Sequence, residues 1–213
     1  MRIALALVLS ATCAGAPAAQ SQRGAARSHR APDAPAGNSA ERRQAVLSAA
    51  RRIMLAVRYC AVISSGESRW PQARTVDPFP PDEADERMRV WFATNPSSRK
   101  VAQIRRQPRV TLHYFDAHAP EQGYATLLGR ARLVNDKAEK ARRWKEGWEA
   151  YWPDRGDSYL LVEVTPERIE VFSPKHGVAA DPVTWQPAAV EMPRRKRREA
   201  PARSPAATPR LRR

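Results

Sequence analysis

Residues 92–100 read FATNPSSRK, and this short stretch holds the side chains best suited to chemistry. An apolar strand ends near Thr94. A polar turn follows, and a helix starts near Ser97 or Ser98. The backbone N–H groups of a first helical turn have no partners inside the helix and carry the positive end of its dipole, so they favour an anion. Ser98 and Thr94 add hydroxyl donors. Arg99 and Lys100 place full positive charge in the first turn, the wrong end of a helix for cations unless an anion lies between. Arginine offers a two-pronged fork and lysine a point charge, a pairing suited to a phosphate dianion. Arg74, on a strand able to lie alongside, adds a further cation. Read alone, the arrangement is either a generic phosphate site or an exposed basic helix start.

The elements that must hold these residues follow from the apolar pattern. Val46, Leu47, Ala50, Ile53, Met54 and Val57 recur at helical spacing behind Ser39 as an N-cap. Strands are expected at 59–64, 70–76, 88–94, 109–115, 123–134, 159–164 and 168–172, the last two joined by Thr165-Pro166-Glu167. Gly66-Glu67-Ser68 marks a hairpin turn. Gly129 marks a bulge or bend in the fifth strand. Helices are expected at 95–107 and 136–151, and the second would carry Trp144, Trp148, Tyr151 and Trp152 as one aromatic stripe that packs in the core or against another copy, or else covers a bound ligand. Strands joined by short turns, with no regular β-α-β alternation, imply an α+β, mainly β fold. The expectation is a six- to seven-stranded antiparallel split β-barrel with flanking helices.

The chain has 213 residues and a formal net charge of +15, with much of the excess at its ends. Met1-Arg2, the apolar run Ile3–Ala11 and the small residues Ala16-Pro17-Ala18 read as an export signal cleaved after Ala18. The run is far short of the ~20 residues that span a bilayer. A lipid anchor at Cys13 is the weaker alternative, because Thr12 precedes it. The remaining thiol, Cys60, lies in an apolar run and reads as core. Residues 19–38 read as a disordered linker, 39–178 as the folded domain, and 179–213 as a disordered Pro/Arg-rich tail. Within the tail, Arg194, Arg195, Lys196, Arg197 and Arg198 form either a solvated charge run or an attachment to an anionic surface or polymer. Basic charge concentrated in the tails argues against a specific nucleic-acid reader. His113 and His118 have no second ligand at metal spacing. The sequence contains no Ser-His-Asp set, P-loop or zinc pattern.

The order PQARTV, then FATNPSSRK, then a strand and a glycine-bearing strand resembles the FMN-binding split-barrel superfamily that includes pyridoxamine 5′-phosphate oxidase. The general-stress-protein branch is the best match, with the ARRWKEGWEAYWPDR and VTPERIEVFSPKHG segments in the same order. The resemblance implies a homodimer with flavin mononucleotide (FMN) at the subunit interface. It further implies that Arg74, Thr75, Val76 and Asp77 line the flavin, and that Thr94, Ser98, Arg99 and Lys100 hold its 5′-phosphate. Phe79 stands where the oxidase has a substrate-phosphate lysine, SPKHGV replaces its C-terminal arginine and histidine, and Tyr124 replaces a flavin-facing glutamine. These departures argue against pyridoxamine phosphate as substrate. His176 is a candidate substrate contact. Three readings remain: a flavin-dependent oxidoreductase, a non-enzymatic flavin-binding or sensing protein, and an exported protein that binds polyanions through its tail.

Overall fold

The chain divides into two units, Met1–Ala36 and Gly37–Arg213. The computed structural model describes residues 39–66, 70–154 and 158–193, all in the second unit. The expected signal, Cys13 anchor, linker and basic run at 194–198 lie outside the described residues, as does most of the Gly66-Glu67-Ser68 turn.

Helix α1 (Ser39–Ala56) buries Val46, Ala49, Ala50, Ile53 and Met54, the stripe that its 3.6-residue period dictates. Seven strands follow: β1 (Cys60–Ser64), β2 (Gln72–Val76), β3 (Val90–Thr94), β4 (Arg109–Phe115), β5 (Tyr124–Val134), β6 (Leu160–Phe172) and β7 (Ala188–Glu191). They form one antiparallel sheet in the order β2-β1-β4-β5-β6-β3, with β7 also on β6. The early half of β6 pairs with β3 and its late half with β7, so one long strand serves two partners along the same edge. The Phe79 N–H donates to the Trp91 carbonyl at 2.7 Å, tying the chain beyond β2 to β3 and curling the sheet into a half-barrel. Inside sit Val62, Phe92, Leu112, Leu127, Val162 and Ile169, all buried, and α1 packs against β4, β5, β6 and β7. Cys60 belongs to this core, and burial pushes its thiol up to about 12. Among the described residues no helix is long and apolar enough to cross a membrane.

Three expectations change. The segments 159–164 and 168–172 are one strand, β6, running straight through Pro166. Leu128 faces Arg168 while Gly129 faces Pro166, which leaves Glu167 as the extra residue of a β-bulge. Gly129 is what permits it, because a Cβ there would lie 2.3 Å from the Thr165 carbonyl oxygen. The folded domain also continues past Val178. Ala188 and Val190 of β7 and Met192 just after it alternate inward and join the core, a period-2 pattern hidden in a Pro- and Ala-rich stretch. Finally, the single helix at 136–151 is only α3 (Lys137–Arg142), capped by the Asp136 carboxylate on the Glu139 N–H, with one 3-10 turn at Trp148–Ala150. Gly147 breaks the path with a φ of 86°.

Candidate anion-binding cleft

Helix α2 (Arg99–Arg106) starts where β3 ends. Ser98 is its N-cap in extended conformation, yet its hydroxyl caps no backbone N–H. It faces the Thr94 hydroxyl instead, at 3.3 Å. Thr94 is buried at the last position of β3, and the Lys100 ammonium donates to its Oγ1 at 2.9 Å. The Asn95 side chain accepts from the Ser97 N–H at 2.8 Å and shapes the turn between them.

Arg74 reaches the same place from β2. Its guanidinium donates to Ser64 Oγ (2.9 Å), Gln72 Oε1 (2.6 Å) and Gln103 Oε1 (2.8 Å). Gln103 belongs to α2, so these contacts fix the β2 arginine against the helix that carries Arg99 and Lys100. Every acceptor is neutral. No carboxylate pairs with Arg74, Arg99 or Lys100 among the described residues. The cost shows in the proton affinities. Burial first, and then the Arg74 charge, holds the Lys100 ammonium below its usual range. Burial and the Arg99 charge do the same to Arg74. Three cations thus stand near one another with no carboxylate pairing any of them among the described residues.

A cleft of about 430 Å³ opens beside this cluster. Thr75, Val76, Asp77, Thr94 and Lys100 line one side, and Lys145, Trp148, Tyr151 and Trp152 the other. Arg74, Ser98 and Arg99 do not line it. Val76 points its side chain into the core, so it presents backbone alone. The Asp77 carboxylate is engaged: Lys145 Nζ donates to Asp77 Oδ1 at 2.8 Å and to the Pro78 carbonyl at 2.7 Å, and Arg58 stands 3.8 Å away. The Lys145 ammonium also lies 4.8 Å from the Phe79 ring centre. Phe79 is thus part of the wall, edge-on to Trp148 at 5.4 Å.

That wall is a second small core. Trp144, Trp148 and Trp152 converge on the buried Tyr159 ring at 5.2–6.0 Å, beside Trp91. The aromatic residues pack together as the stripe suggested, though from an irregular segment rather than a helix. Tyr151 points away and stays 77% exposed at the cleft mouth. Sequence reasoning missed Ser64, Gln103 and Lys145. Gln103 was findable, one turn beyond Arg99 on the same face of α2. Lys145 was not, because its partners are backbone carbonyls and Asp77, far away in sequence. Two other candidates lie elsewhere. Tyr124 packs on His113 and Phe172 on the outer face of the sheet. His176 Nδ1 pairs with Ser173 Oγ at 2.8 Å.

Known proteins align with this description. Residues 61–192 match the family described as pyridoxamine 5′-phosphate oxidase like. Among curated proteins none matches the chain at a significant level. A Clostridium acetobutylicum protein related to general stress protein 26 of B. subtilis, of the pyridoxinephosphate oxidase family, superposes with a TM-score of 0.55 at 18% identity, covering 70% of this chain and 95% of that one. General stress protein 26 from Bacillus anthracis gives 0.49 at 18% identity over 59% and 92% of the two chains. A pyridoxamine 5′-phosphate oxidase-related, FMN binding protein from Nostoc punctiforme gives 0.48 at 13% identity over 71% and 96%. The family match spans more than half of the sequence and includes every residue of the cation cluster, and on that ground the chain belongs to the pyridoxamine 5′-phosphate oxidase-like family.

Proposed function

We propose that the protein binds FMN and acts as a flavin-dependent oxidoreductase on a small molecule other than pyridoxamine phosphate. The observation that carries this reading is the cluster of Arg74, Arg99 and Lys100, with no acid among them, at the end of a cleft whose other wall is aromatic. The phosphate belongs with Lys100, Arg99 and the Thr94 and Ser98 hydroxyls. Arg74 adds long-range charge from β2. The exposed backbone at Thr75–Asp77 meets the flavin ring. Bound FMN supplies the hydride and electron transfer. The chain's own residues bind its anionic end, orient it, and keep water from the Trp148 side. A sensing role without turnover uses the same site, and anaerobic bleaching by a nicotinamide donor separates the two.

A second copy of the chain belongs to this proposal. At one end of the outer face of β1, β4, β5 and β6, Ala61, Phe115, Tyr124 and Phe172 lie around His113, whose imidazole burial holds below its usual range, while Arg109, Arg130 and Arg168 stand toward the other end. Such a face suits an isologous two-fold contact.

The test is purification of the full chain, mass spectrometry of anything bound, and titration with FMN followed by flavin fluorescence. Saturable binding of one FMN per chain is expected, with a dimer in light scattering. A protein that ignores added FMN overturns the reading.

A further inference from the structure

We infer that the protein carries a second, independent anionic-ligand surface: an arginine groove over the β-bulge that binds a flexible phosphate polymer along its backbone. The groove lies on the far side of the bulge from the core and has two lobes of about 700 and 470 Å³ that share Glu167. Arg87, Arg130 and Pro193 line the first lobe, and Arg109 lines the second.

The charges in the groove are unequally satisfied. Arg89 and Arg132 both turn onto the nearly buried Glu163, whose side chain is 8% exposed, so their charge is consumed within the fold. Arg168 is likewise held by Glu170 and Glu191. Arg87 and Arg109 are exposed and make no ion pair with a described residue. Arg130 has only Glu167, and both of those side chains are about half exposed. Arg109 also stands directly opposite Arg130 across the β4–β5 ladder. Like charges facing each other across strands destabilise a sheet, and a shared anion between them removes that penalty.

Continuity with the sequence selects a polymer over a single ion. Pro193 forms the rim of the first lobe, and Arg194, Arg195, Lys196, Arg197 and Arg198 follow it directly in the chain. Within the described residues, exposed or half-exposed cations stand in both lobes, at Arg87 and Arg130 in the first and Arg109 in the second. Both lobes are lined by no aromatic side chain, so nothing there stacks on bases. Recognition is of repeated phosphates without sequence preference. The groove shares no lining residue with the FMN cleft, so the two ligands are tested separately, although Ile63 of its second lobe lies on the same outer face as the proposed two-fold contact.

The experiment uses the full chain and a fluorescein-labelled oligothymidylate, read by anisotropy over a salt series. Inorganic polyphosphate serves as competitor, and phosphatidylglycerol vesicles as a second probe. The test variant is Arg87→Gln with Arg109→Gln, two exposed side chains whose removal breaks no ion pair, with Tm and FMN content as folding controls. The parent is expected to bind and to be displaced by polyphosphate. The double variant should bind about tenfold more weakly, with a salt slope smaller by about 1.4, two contacts at about 0.7 each. Oligoadenylate should bind as oligothymidylate does. A parent that does not bind the oligonucleotide at low salt overturns the inference. So does a double variant with unchanged affinity, which would leave the basic run acting alone. Tighter binding to vesicles than to the polymer, unaffected by the two substitutions, would overturn it in favour of a membrane surface.

Discussion

The two walls of the cleft are built on opposite terms. At the Trp148 wall the buried groups are answered: Lys145 has Asp77 and a carbonyl, Trp148 has Phe79, Trp144, Trp152 and Tyr159 around it, and the Tyr159 hydroxyl donates to the Lys140 carbonyl at 3.2 Å. At the Lys100 end the charges are left over. Arg74 and Lys100 rest on neutral oxygens, and burial, followed by the cation beside each, lowers their proton affinity. On the proposed reading the satisfied wall serves folding, and the unsatisfied end serves a ligand. Mutations should therefore separate stability from binding across a single cleft.

The widest separation is expected from Arg99→Ala with Lys100→Ala. Each charge-assisted contact to a phosphate is worth about 1.5–3 kcal/mol, so FMN affinity should fall at least about a hundredfold in fluorescence titration. Urea unfolding should show no loss of stability and even a slight gain, because like charges have been removed. The mirror-image change is Trp148→Ala. It empties the centre of the aromatic wall and should cost about 3–5 kcal/mol of stability, with a smaller loss of FMN affinity in the folded fraction. Should Trp148→Ala abolish binding while leaving stability intact, the division between the walls fails.

Arg74→Met sharpens the picture. Arg74 acts through Gln103 and long-range charge, so a loss of about tenfold is expected, less than for the double variant. Removing its charge should also return the Lys100 ammonium toward its ordinary range.

The smallest effect is in pH. Lys100 is depressed without a ligand, and a phosphate restores it, so the bound-state pKa exceeds the free-state one. Its contribution is then complete below the free-state value and fades as pH rises through it. FMN affinity should decline with rising pH at the alkaline end in the parent, a window that opens below the ordinary lysine value. The decline should be absent in Lys100→Arg, which stays charged throughout.

Much of this architecture is legible in the amino-acid sequence. The period-2, continuously apolar and 3.6-residue patterns locate β1 to β5, β6 as two pieces, and the first two helices. The FATNPSSRK stretch shows which side chains gather where β3 gives way to α2, because Thr94, Ser98, Arg99 and Lys100 are near neighbours along the chain. What stays hidden depends on partners distant in sequence. Pro166 reads as a strand breaker until Gly129, on the neighbouring strand, is seen to make room for a bulge. Ala188, Val190 and Met192 read as tail until β6 supplies an edge for them. The tryptophans suggest a helix until Lys145 is pulled toward Asp77 and Pro78 and Gly147 turns the chain. In each case a tertiary partner overrides the local pattern.

The central claim is that the cation cluster holds a phosphate, and the most direct measurement compares FMN with riboflavin, the same ring without the phosphate. Titrating the parent protein with each should show FMN binding at least about a hundredfold more tightly. That preference should collapse toward equality in the Arg99→Ala, Lys100→Ala double variant. Equal affinities for the two flavins in the parent would contradict the account.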